Sequence, residues 1–420
     1  MIKASALYIV IIIAFTIAVL CSSMIVSAYY YRLQYQKKFR KDILYNNIES
    51  GVNVILTSDS NTYYNERIKD LYQSGYDSIS LKVTPWGVYD IGVVRAFIQG
   101  DTLSKAFSMA YCIDSLRWSS IYLSDEERPL QLSGHTKIIG TAFLPKAGVN
   151  EAFVEGKSYE GDKRLIIGKK KESKAKLPSL SASRLKYLSN IKQRLFNADT
   201  ILPTVRNYTN SFLSSAKIYH FKSKSTLVKD INLKGNIVLF SNSLIVLDSS
   251  STLDNVLVFA KGIVVKSGFK GRCQLFATDS VSIGKNCNFT YPSTVGVLKL
   301  NNSEIYQSKI VIKEGSMFNG ILFTSESKKS DLQTLIDIGK KVRIKGQVFA
   351  QGLIRLKDSV EVKGNISANR FIYETNNTMF ENYLVNAVID EKSLSAHYLT
   401  SSLFWASSGK KRILQWMETK

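Results

Sequence analysis

The fold is predicted by four similar segments: "LFSNSLIVL" from Leu239, "VFAKGIVVK" from Val258, "LFATDSVSI" from Leu275 and "VFAQGLIRL" from Val348. Each has an aliphatic residue followed by phenylalanine, a small or polar turn, and an alternating strand. The first three follow one another at nearly even intervals, and the fourth follows after a gap that would hold several more copies. A fixed period of about 20 residues with short strands and glycine or asparagine turns is typical of a β-solenoid.

The phenylalanines of these repeats predict how the coils pack. Phe240, Phe259, Phe276 and Phe349 recur at one phase, so we expect them to stack in one interior column. "ILFTSES" from Ile321 is a further copy that runs into a loop. An antiparallel sandwich is the alternative, but it would need no fixed repeat length, and alternating valine and isoleucine suit either sheet. We therefore expect a mainly β chain with a β-solenoid over residues 129–375.

Two helical segments are expected in and after this solenoid. Leu185, Leu188, Ile191 and Leu195 share one helical face, with Ser181 or Ser183 as the amino-terminal cap. This predicts a helical insertion around residues 181–200. The spacing in "FENYLVNAVI" and an aromatic tail with Trp405 and Trp416 predict a helical cap over residues 376–420.

Residues 58–128 precede the solenoid and form, on this interpretation, a small α+β region. "SISLKVTPWGVYDIGVVRAFI" alternates polar and apolar residues around Pro85-Trp86-Gly87, which is typical of a β-hairpin. The stretch from Asp101 to Trp118 fits a strand or a helix.

The amino-terminal segment is apolar enough to cross a membrane. No charged residue occurs from Ala4 to Ala28, and roughly 20 apolar helical residues span the hydrocarbon core. Val26-Ser27-Ala28 would suit cleavage of a signal peptide, which is the main alternative. The apolar run is long for a signal peptide and only Lys3 precedes it, so we favour one uncleaved span. Leu20 before Cys21 and the apolar residues after it argue against a lipoprotein.

The helical pattern continues beyond the span. Leu44, Ile48, Val52 and Ile55 lie on one face of a helix, and no proline occurs before Pro85. We therefore expect a transmembrane helix and stalk over residues 1–57, half in lipid and half projecting as an amphipathic stalk.

The segments "ASALYIVIIIAFTIAVL" and "NNIESGVNVIL" resemble the start of minor pilins of the PilX and GspK kind. Glu49, Ser50, Gly51 and Val52 stand where the family has Glu-Ala-Gly-Leu, so Glu49 and Gly51 are the assembly candidates. The resemblance ends with the second of these segments, at Leu56. It implies an inner-membrane anchor, a periplasmic carboxyl domain and incorporation with other pilin-like or secretion subunits. The family's acidic residue near the start of the apolar helix is absent here, and Ala4 replaces the usual glycine.

The repeats also loosely resemble the coils of bactofilins and other polymer-forming β-helices, which implies self-assembly. A bactofilin-like scaffold facing the cytoplasm agrees with the basic residues after the span, because basic residues favour the cytoplasmic side. These residues are Arg32, Lys37, Lys38, Arg40 and Lys41. The two resemblances therefore predict opposite orientations.

The whole chain is strongly basic. Its 56 lysines and arginines against 34 acidic residues give a net charge of +22. Such an excess favours anionic partners, namely a membrane surface, an anionic surface polymer or nucleic acid, although lysines that merely solvate exposed faces would give the same count. A second basic cluster lies from Lys169 to Lys176.

Catalytic motifs are not found in the sequence. His135, His220 and His397 are isolated, without metal-ligand spacing. Gly156-Lys157-Ser158 lacks the glycine five positions earlier that a phosphate-binding loop needs. Carboxylates in the repeats form no adjacent pair of the kind that glycosidases use. Cys273 and Cys287 are expected to be buried thiols, with a disulfide between them as the alternative.

We therefore expect a structural protein, not an enzyme, with no cofactor and no metal. The expected function is a minor-pilin-like component of a pilus or secretion-type assembly, anchored by one helix in the inner membrane and presenting a periplasmic β-solenoid. The alternatives are the cytoplasmic-facing scaffold and a secreted β-helix that binds or degrades polysaccharide.

Overall fold

The computed structural model describes residues 4–59, 62–73, 75–114, 118–191, 199, 201–300, 306–327, 331–404 and 410–419. The chain divides into two compact units. The first comprises Met1–Val83, Gly92–Ala106 and Thr419–Lys420, and the second comprises Thr84–Ile91 and Phe107–Glu418.

The first unit contains one long helix and part of an antiparallel sheet. Its helix is α1 (Ala4–Thr57), and its sheet is built on β1 (Arg67–Lys69), β2 (Asp77–Trp86), β3 (Tyr89–Ile98) and β4 (Asp101–Cys112), which neighbour one another in that order. The helix has 54 residues, so it is roughly 80 Å long at 1.5 Å per residue.

The carboxyl-terminal part of α1 packs as the sequence predicts. Leu44, Ile48, Val52 and Ile55 are all buried, at 4% exposure or less. They face the part of the sheet that belongs to the first unit, where Ile79 and Leu81 are buried as well. The apolar stripe therefore defines where the free part of the helix ends and its packed part begins.

The second unit is dominated by parallel strands. In its first part lie β5 (Ile121–Leu123), β6 (Leu130–Ser133), β7 (Lys137–Ile139), β8 (Ala142–Leu144), β9 (Val149–Glu151), β10 (Ile166–Ile167), β11 (Lys170–Glu172), α2 (Ala182–Ser189), β12 (Asn207–Asn210), β13 (Lys217–Phe221) and β14 (Ser225–Val228). In its middle lie β15 (Asn232–Ser241), β16 (Leu244–Leu247), β17 (Thr252–Val265), β18 (Lys270–Ile283), β19 (Asn288–Lys299), β20 (Lys309–Ile312), β21 (Met317–Glu326), β22 (Leu335–Ile338), β23 (Arg343–Leu356) and β24 (Glu361–Glu374). The last strands are β25 (Met379–Glu381), β26 (Tyr383–Val385), β27 (Val388–Asp390), β28 (Leu399–Thr400) and β29 (Lys411–Thr419).

Most of these strands form what we call the coiled stack, residues 121–172 and 207–390. Phe240 pairs with Phe259 and Phe259 with Phe276, so successive strands pair in parallel one repeat apart. One unbroken ladder runs in the order β13–β15–β17–β18–β19–β21–β23–β24–β5–β8–β11. The parallel pairing and the repeat spacing follow the sequence prediction, and they extend beyond residues 129–375.

The order of the coils in space differs from their order in the sequence. The ladder passes from β24 to β5, because Ile366 pairs with Ile121, and then to β8 and β11. Residues 121–172 therefore continue the stack after residues 361–390. A repeat-by-repeat reading of the sequence would have placed them before β12.

The phenylalanines form a column, but not inside the coils. One line of cross-strand partners runs along the ladder, and we call it the aromatic row. Its members, in spatial order, are His220, Phe240, Phe259, Phe276, Gly296, Phe323, Phe349, Ser367, Tyr122, Phe143 and Lys171. The core cluster is made instead by the aliphatic residues one position earlier, such as Leu239, Val258 and Leu275. Because side chains alternate across a strand, the phenylalanines point to the outer face. The expected interior column is therefore wrong in its placement.

Other elements cover much of the aromatic row. Helix α2 begins after Ser181, whose hydroxyl accepts the Arg184 amide, as the predicted cap does. Leu188 of this helix lines one cavity together with Phe240 and Phe276. Further along the row, the Phe404 ring packs edge-on against Phe349. Leu195 and the rest of the predicted insertion to residue 200 lie mostly outside the described residues.

Two helical predictions are wrong. The carboxyl-terminal segment forms β25 to β29, and among its described residues there is no helix. Asn382 and Asn386 adopt positive φ angles of 59° and 50°, so they turn the chain at the coil corners where a helix would have continued. Trp405 lies outside the described residues, and the Trp416 ring packs edge-on against Phe107.

The predicted α+β region likewise contains only strands and loops over the described part of residues 58–128. The ambiguous stretch from Asp101 is β4, which pairs with both β28 and β29. The predicted hairpin is confirmed: β2 and β3 are joined at Gly87, whose φ is +60°.

Candidate assembly surface

The first part of α1 is the most exposed apolar surface in the described residues. Its side chains are exposed from Ala6 to Phe39, among them Ile11, Phe15 and Leu20 at 58%, 69% and 62%. The helix is long and apolar enough to cross a membrane. Aliphatic side chains in such numbers are stabilised by lipid or by other apolar helices, not by water.

Polar contacts between α1 and the sheet of its unit occur where the exposed apolar part of the helix ends. Arg40 donates through Nε to Asp101 Oδ2 at 2.8 Å. The Lys41 ammonium lies 5.7 Å from the centre of the Tyr45 ring. Lys37 and Lys38 are exposed one turn earlier. This basic stretch therefore separates the apolar part of the helix from the part that packs on the sheet.

Glu49 lies on the outer side of the packed part. Its Oε1 is 3.0 Å from the Lys105 Nζ, and its side chain is 58% exposed. The Lys105 ammonium also lies 5.7 Å from the centre of the Tyr45 ring. An exposed carboxylate held by one lysine contributes little to folding. It is therefore available to a partner.

Gly51 has a different position. It is buried, and a Cβ atom added there would lie 2.7 Å from Val94 Cγ1 and 3.1 Å from Leu81 Cδ2. The absence of a side chain lets α1 approach the sheet closely. The two candidates from the sequence are therefore near each other on the helix but differ in kind: Glu49 faces outward, and Gly51 serves the packing of its own unit.

A polar contact under the helix was missed by the sequence reasoning. Asn47 Nδ2 donates to Asp77 Oδ2 at 2.6 Å, and both residues are buried, at 2% and 7% exposure. Asn47 follows Leu44 by three positions and precedes Ile48, so it lies within the apolar stripe. A polar residue at a stripe position was the signal that could have indicated it.

The hairpin of β2 and β3 supplies a buried anchor inside the second unit. Arg184 Nη2 donates to both carboxylate oxygens of Asp90, at 2.7 and 2.8 Å, and its Nη1 donates to the Tyr89 carbonyl at 3.1 Å. The Arg184 and Asp90 side chains are 6% and 5% exposed. Tyr187 also donates to the Pro85 carbonyl at 2.6 Å. These contacts fix α2 over the aromatic row.

The residues considered for chemistry are not brought together. His135 lies 3.2 Å from Glu160 at the surface, and His220 packs edge-on against Phe240. The described residues contain no group of three His, Cys, Asp or Glu side chains that could hold a metal ion. Cys273 and Cys287 are both free and buried, and burial raises the pKa of each thiol. They are therefore not joined by a disulfide.

Gly156-Lys157-Ser158 forms no phosphate-binding loop followed by a helix. Lys157 instead makes an isolated antiparallel bridge with Val154, with hydrogen bonds of 3.1 and 2.9 Å between their backbones.

The elements and contacts define a mainly β chain that begins with one long apolar helix. No family model matches it, and no curated protein matches it. Among solved structures, the chain is similar to the competence-associated pilin ComZ from Thermus thermophilus, at 8% sequence identity and a TM-score of 0.25 over 85% of this chain and 86% of that one. A TM-score this low does not establish a common fold.

Proposed function

We propose that the chain is a membrane-anchored structural protein, a minor-pilin-like component of a pilus or secretion-type assembly, whose coiled stack is a β-solenoid on the periplasmic side. The observation that carries this proposal is the division of α1. One helix has an exposed apolar first part and a second part that is packed on a sheet of its own unit. The same helix can therefore anchor the chain and join neighbouring helices.

The mechanism follows from where apolar surface is left exposed. In the bilayer, the first part of α1 is solvated by lipid. In an assembly, the same side chains contact the helices of other subunits, and van der Waals packing replaces lipid contact. The rigid coiled stack would then be carried as a projecting surface for a partner. In this proposal the role is structural and uses none of the candidate catalytic residues.

The second candidate is the bactofilin-like scaffold that faces the cytoplasm. The basic stretch after the span favours it, by the positive-inside rule. Its self-assembly would require pairing at the ends of the stack. At one end, however, β11 is Lys170-Lys171-Glu172 and all three residues are exposed. Short, charged edge strands of this kind disfavour pairing with another sheet. The third candidate is a secreted β-helix released by cleavage after Ala28.

Reporter fusions after Lys41 and after Lys420 separate the first two candidates. Activity of a periplasm-dependent reporter at both sites is expected. Activity of a cytoplasm-dependent reporter at both sites would overturn the minor-pilin proposal and favour the scaffold. The intact mass of the amino terminus separates the third candidate, because cleavage would remove the apolar part of α1.

Glu49→Ala tests assembly itself. We expect the variant to remain in the membrane fraction and to lose less than about 1 kcal/mol of folding stability, since its ion pair is exposed. The amount of the variant that is recovered together with other subunits of the assembly should fall. The matched control is Asp42→Ala, which removes one exposed carboxylate from the same helix. Unchanged recovery of the Glu49 variant, or an equal loss in the control, would refute a specific role for Glu49.

A further inference from the structure

A cleft of about 490 Å³ lies beside the coiled stack at the end of the aromatic row. Tyr122, Phe143 and Ser367 belong to the row and form part of its lining. The segment that follows β11 forms the opposite side, with Leu177 and Pro178. The volume lies in the range of small-molecule sites, which is about 300–1,000 Å³.

At the cleft, the side chains of the aromatic row are less completely covered than in the middle of the row. Phe240, Phe259 and Phe349 are at most 4% exposed, whereas Phe143 is half-buried. A ligand in the cleft can therefore reach the Phe143 ring.

Two lysines of the second basic cluster line the cleft. Lys174 and Lys176 are exposed, and within the described part of the chain neither forms an ion pair with a carboxylate. The Lys174 backbone amide donates to the Tyr122 hydroxyl at 3.0 Å, which fixes this segment against the row. The basic cluster is therefore placed over a formed cavity, and two ammonium groups are available to an anion there.

The polar lining suits hydroxyl groups. Ser367 donates to Asn365 Oδ1 at 3.1 Å, and Asn365 Nδ2 donates to the Ser119 carbonyl, so a row of small polar groups is held in place. The Glu172 carboxylate also lines the cleft and can accept hydrogen bonds from hydroxyl groups.

The ring faces of the row argue against stacking with a nucleic-acid base. Tyr122 and Phe143 stack on each other, with centroids 5.3 Å apart and planes at 24°. The Lys171 ammonium lies 5.2 Å from the Phe143 centroid, on a neighbouring strand. Proteins that bind single-stranded nucleic acids stack the bases on exposed faces of aromatic side chains. The ring edges that remain carry positive partial charge and favour an anion.

We propose that this cleft binds an acidic sugar unit of a polysaccharide. Its carboxylate pairs with Lys174 and Lys176, its hydroxyls meet Asn365 and Glu172, and its apolar ring surface packs beside Phe143. This site is additional to the membrane-anchored assembly role and does not depend on it.

The test is a calorimetric titration of the full chain in detergent with a hexamer of galacturonic acid. The same hexamer with its carboxylates methyl-esterified is the ligand control. Binding of the acidic hexamer and no binding of the ester are expected. Lys174→Ala/Lys176→Ala should weaken the affinity by about 5- to 30-fold, from two partly exposed ion pairs. Lys222→Ala/Lys224→Ala removes two exposed lysines at the same spacing and should change it less than about twofold.

Each other outcome overturns the proposal. Equal loss in both double variants would indicate attraction by net charge alone. Equal binding of the ester would exclude recognition of the carboxylate. Tighter binding of a single-stranded oligothymidylate through the same two lysines would assign the cleft to nucleic acid, and no binding of any probe would leave no ligand site. None of these results bears on assembly, which is measured by the recovery of subunits.

Discussion

The buried pair of Arg184 and Asp90 allows the most direct test of how the second unit is held together. In Arg184→Met, the Asp90 carboxylate keeps its 5% exposure but loses two hydrogen bonds from the guanidinium. The Tyr89 carbonyl loses a donor as well. A buried charge left without its partner costs about 3–5 kcal/mol.

The expected change in thermal midpoint follows from the size of the unit. For a unit of roughly 300 residues, this loss corresponds to a decrease of about 5–8 °C. The measurement is thermal unfolding of the full chain in detergent, followed by near-ultraviolet circular dichroism. In the double variant Arg184→Met/Asp90→Leu no charge is left stranded, so most of the decrease should be recovered.

The control is an exposed pair with the same chemistry. Arg164 donates to Asp162 through Nε and Nη2, at 2.9 and 2.6 Å, but the Arg164 side chain is 67% exposed. Arg164→Met should leave the midpoint unchanged, because water replaces its contacts. An equal decrease in both single variants, or an unchanged midpoint in Arg184→Met, would refute the argument from burial.

Packing and ionisation give two further predictions. Gly296→Ala places a Cβ 2.4 Å from the Phe323 ring, so it should lower the free energy of unfolding by about 1–3 kcal/mol, as measured by denaturant unfolding. The control is Gly262→Ala, whose Cβ would have its nearest atom at 3.3 Å and which should be close to neutral. Equal effects of the two substitutions would contradict this prediction. Burial raises the pKa of Glu391, although its Oε1 accepts the Thr141 amide, so folding stability falls as pH rises through that pKa. Glu391→Gln should therefore be more stable than the wild type at pH 7 and equal to it below about pH 4, as pH-dependent unfolding would show.

The sequence predicted what depends on local periodicity. The stripe of Leu44, Ile48, Val52 and Ile55 was enough to place the packed part of α1, because a helical face repeats every three to four residues. Likewise, the spacing of Phe240, Phe259 and Phe276 predicted parallel pairing one repeat apart.

What failed depends on the surroundings of a residue. The sequence around a phenylalanine such as Phe240 does not tell which face of the strand it lies on, because α2 and Phe404, which help to cover the outer face, are distant in the chain. The segment around Asn382 and Asn386 has a helical pattern but forms strands, because both residues adopt positive φ angles where the chain turns between strands. The pattern of the sequence alone does not show these turns. The same holds for the candidate assembly residues. The sequence motif identified Glu49 and Gly51, but the exposure of Glu49 and the burial of Gly51 depend on the sheet that packs against α1.

The position of residues 121–172 after β24 has a consequence for how the chain reaches its native state. Ile121 pairs with Ile366, so a strand made early in synthesis has its partner in one of the last coils to be made. Such high contact order slows folding, because the closure of a very long loop precedes any gain from the contact. The early coils therefore cannot be completed while the ribosome is still working on the middle repeats. Strands β5, β8 and β11 can pair with one another early, but the other edge of β5 must wait for β24 until nearly the whole polypeptide has emerged.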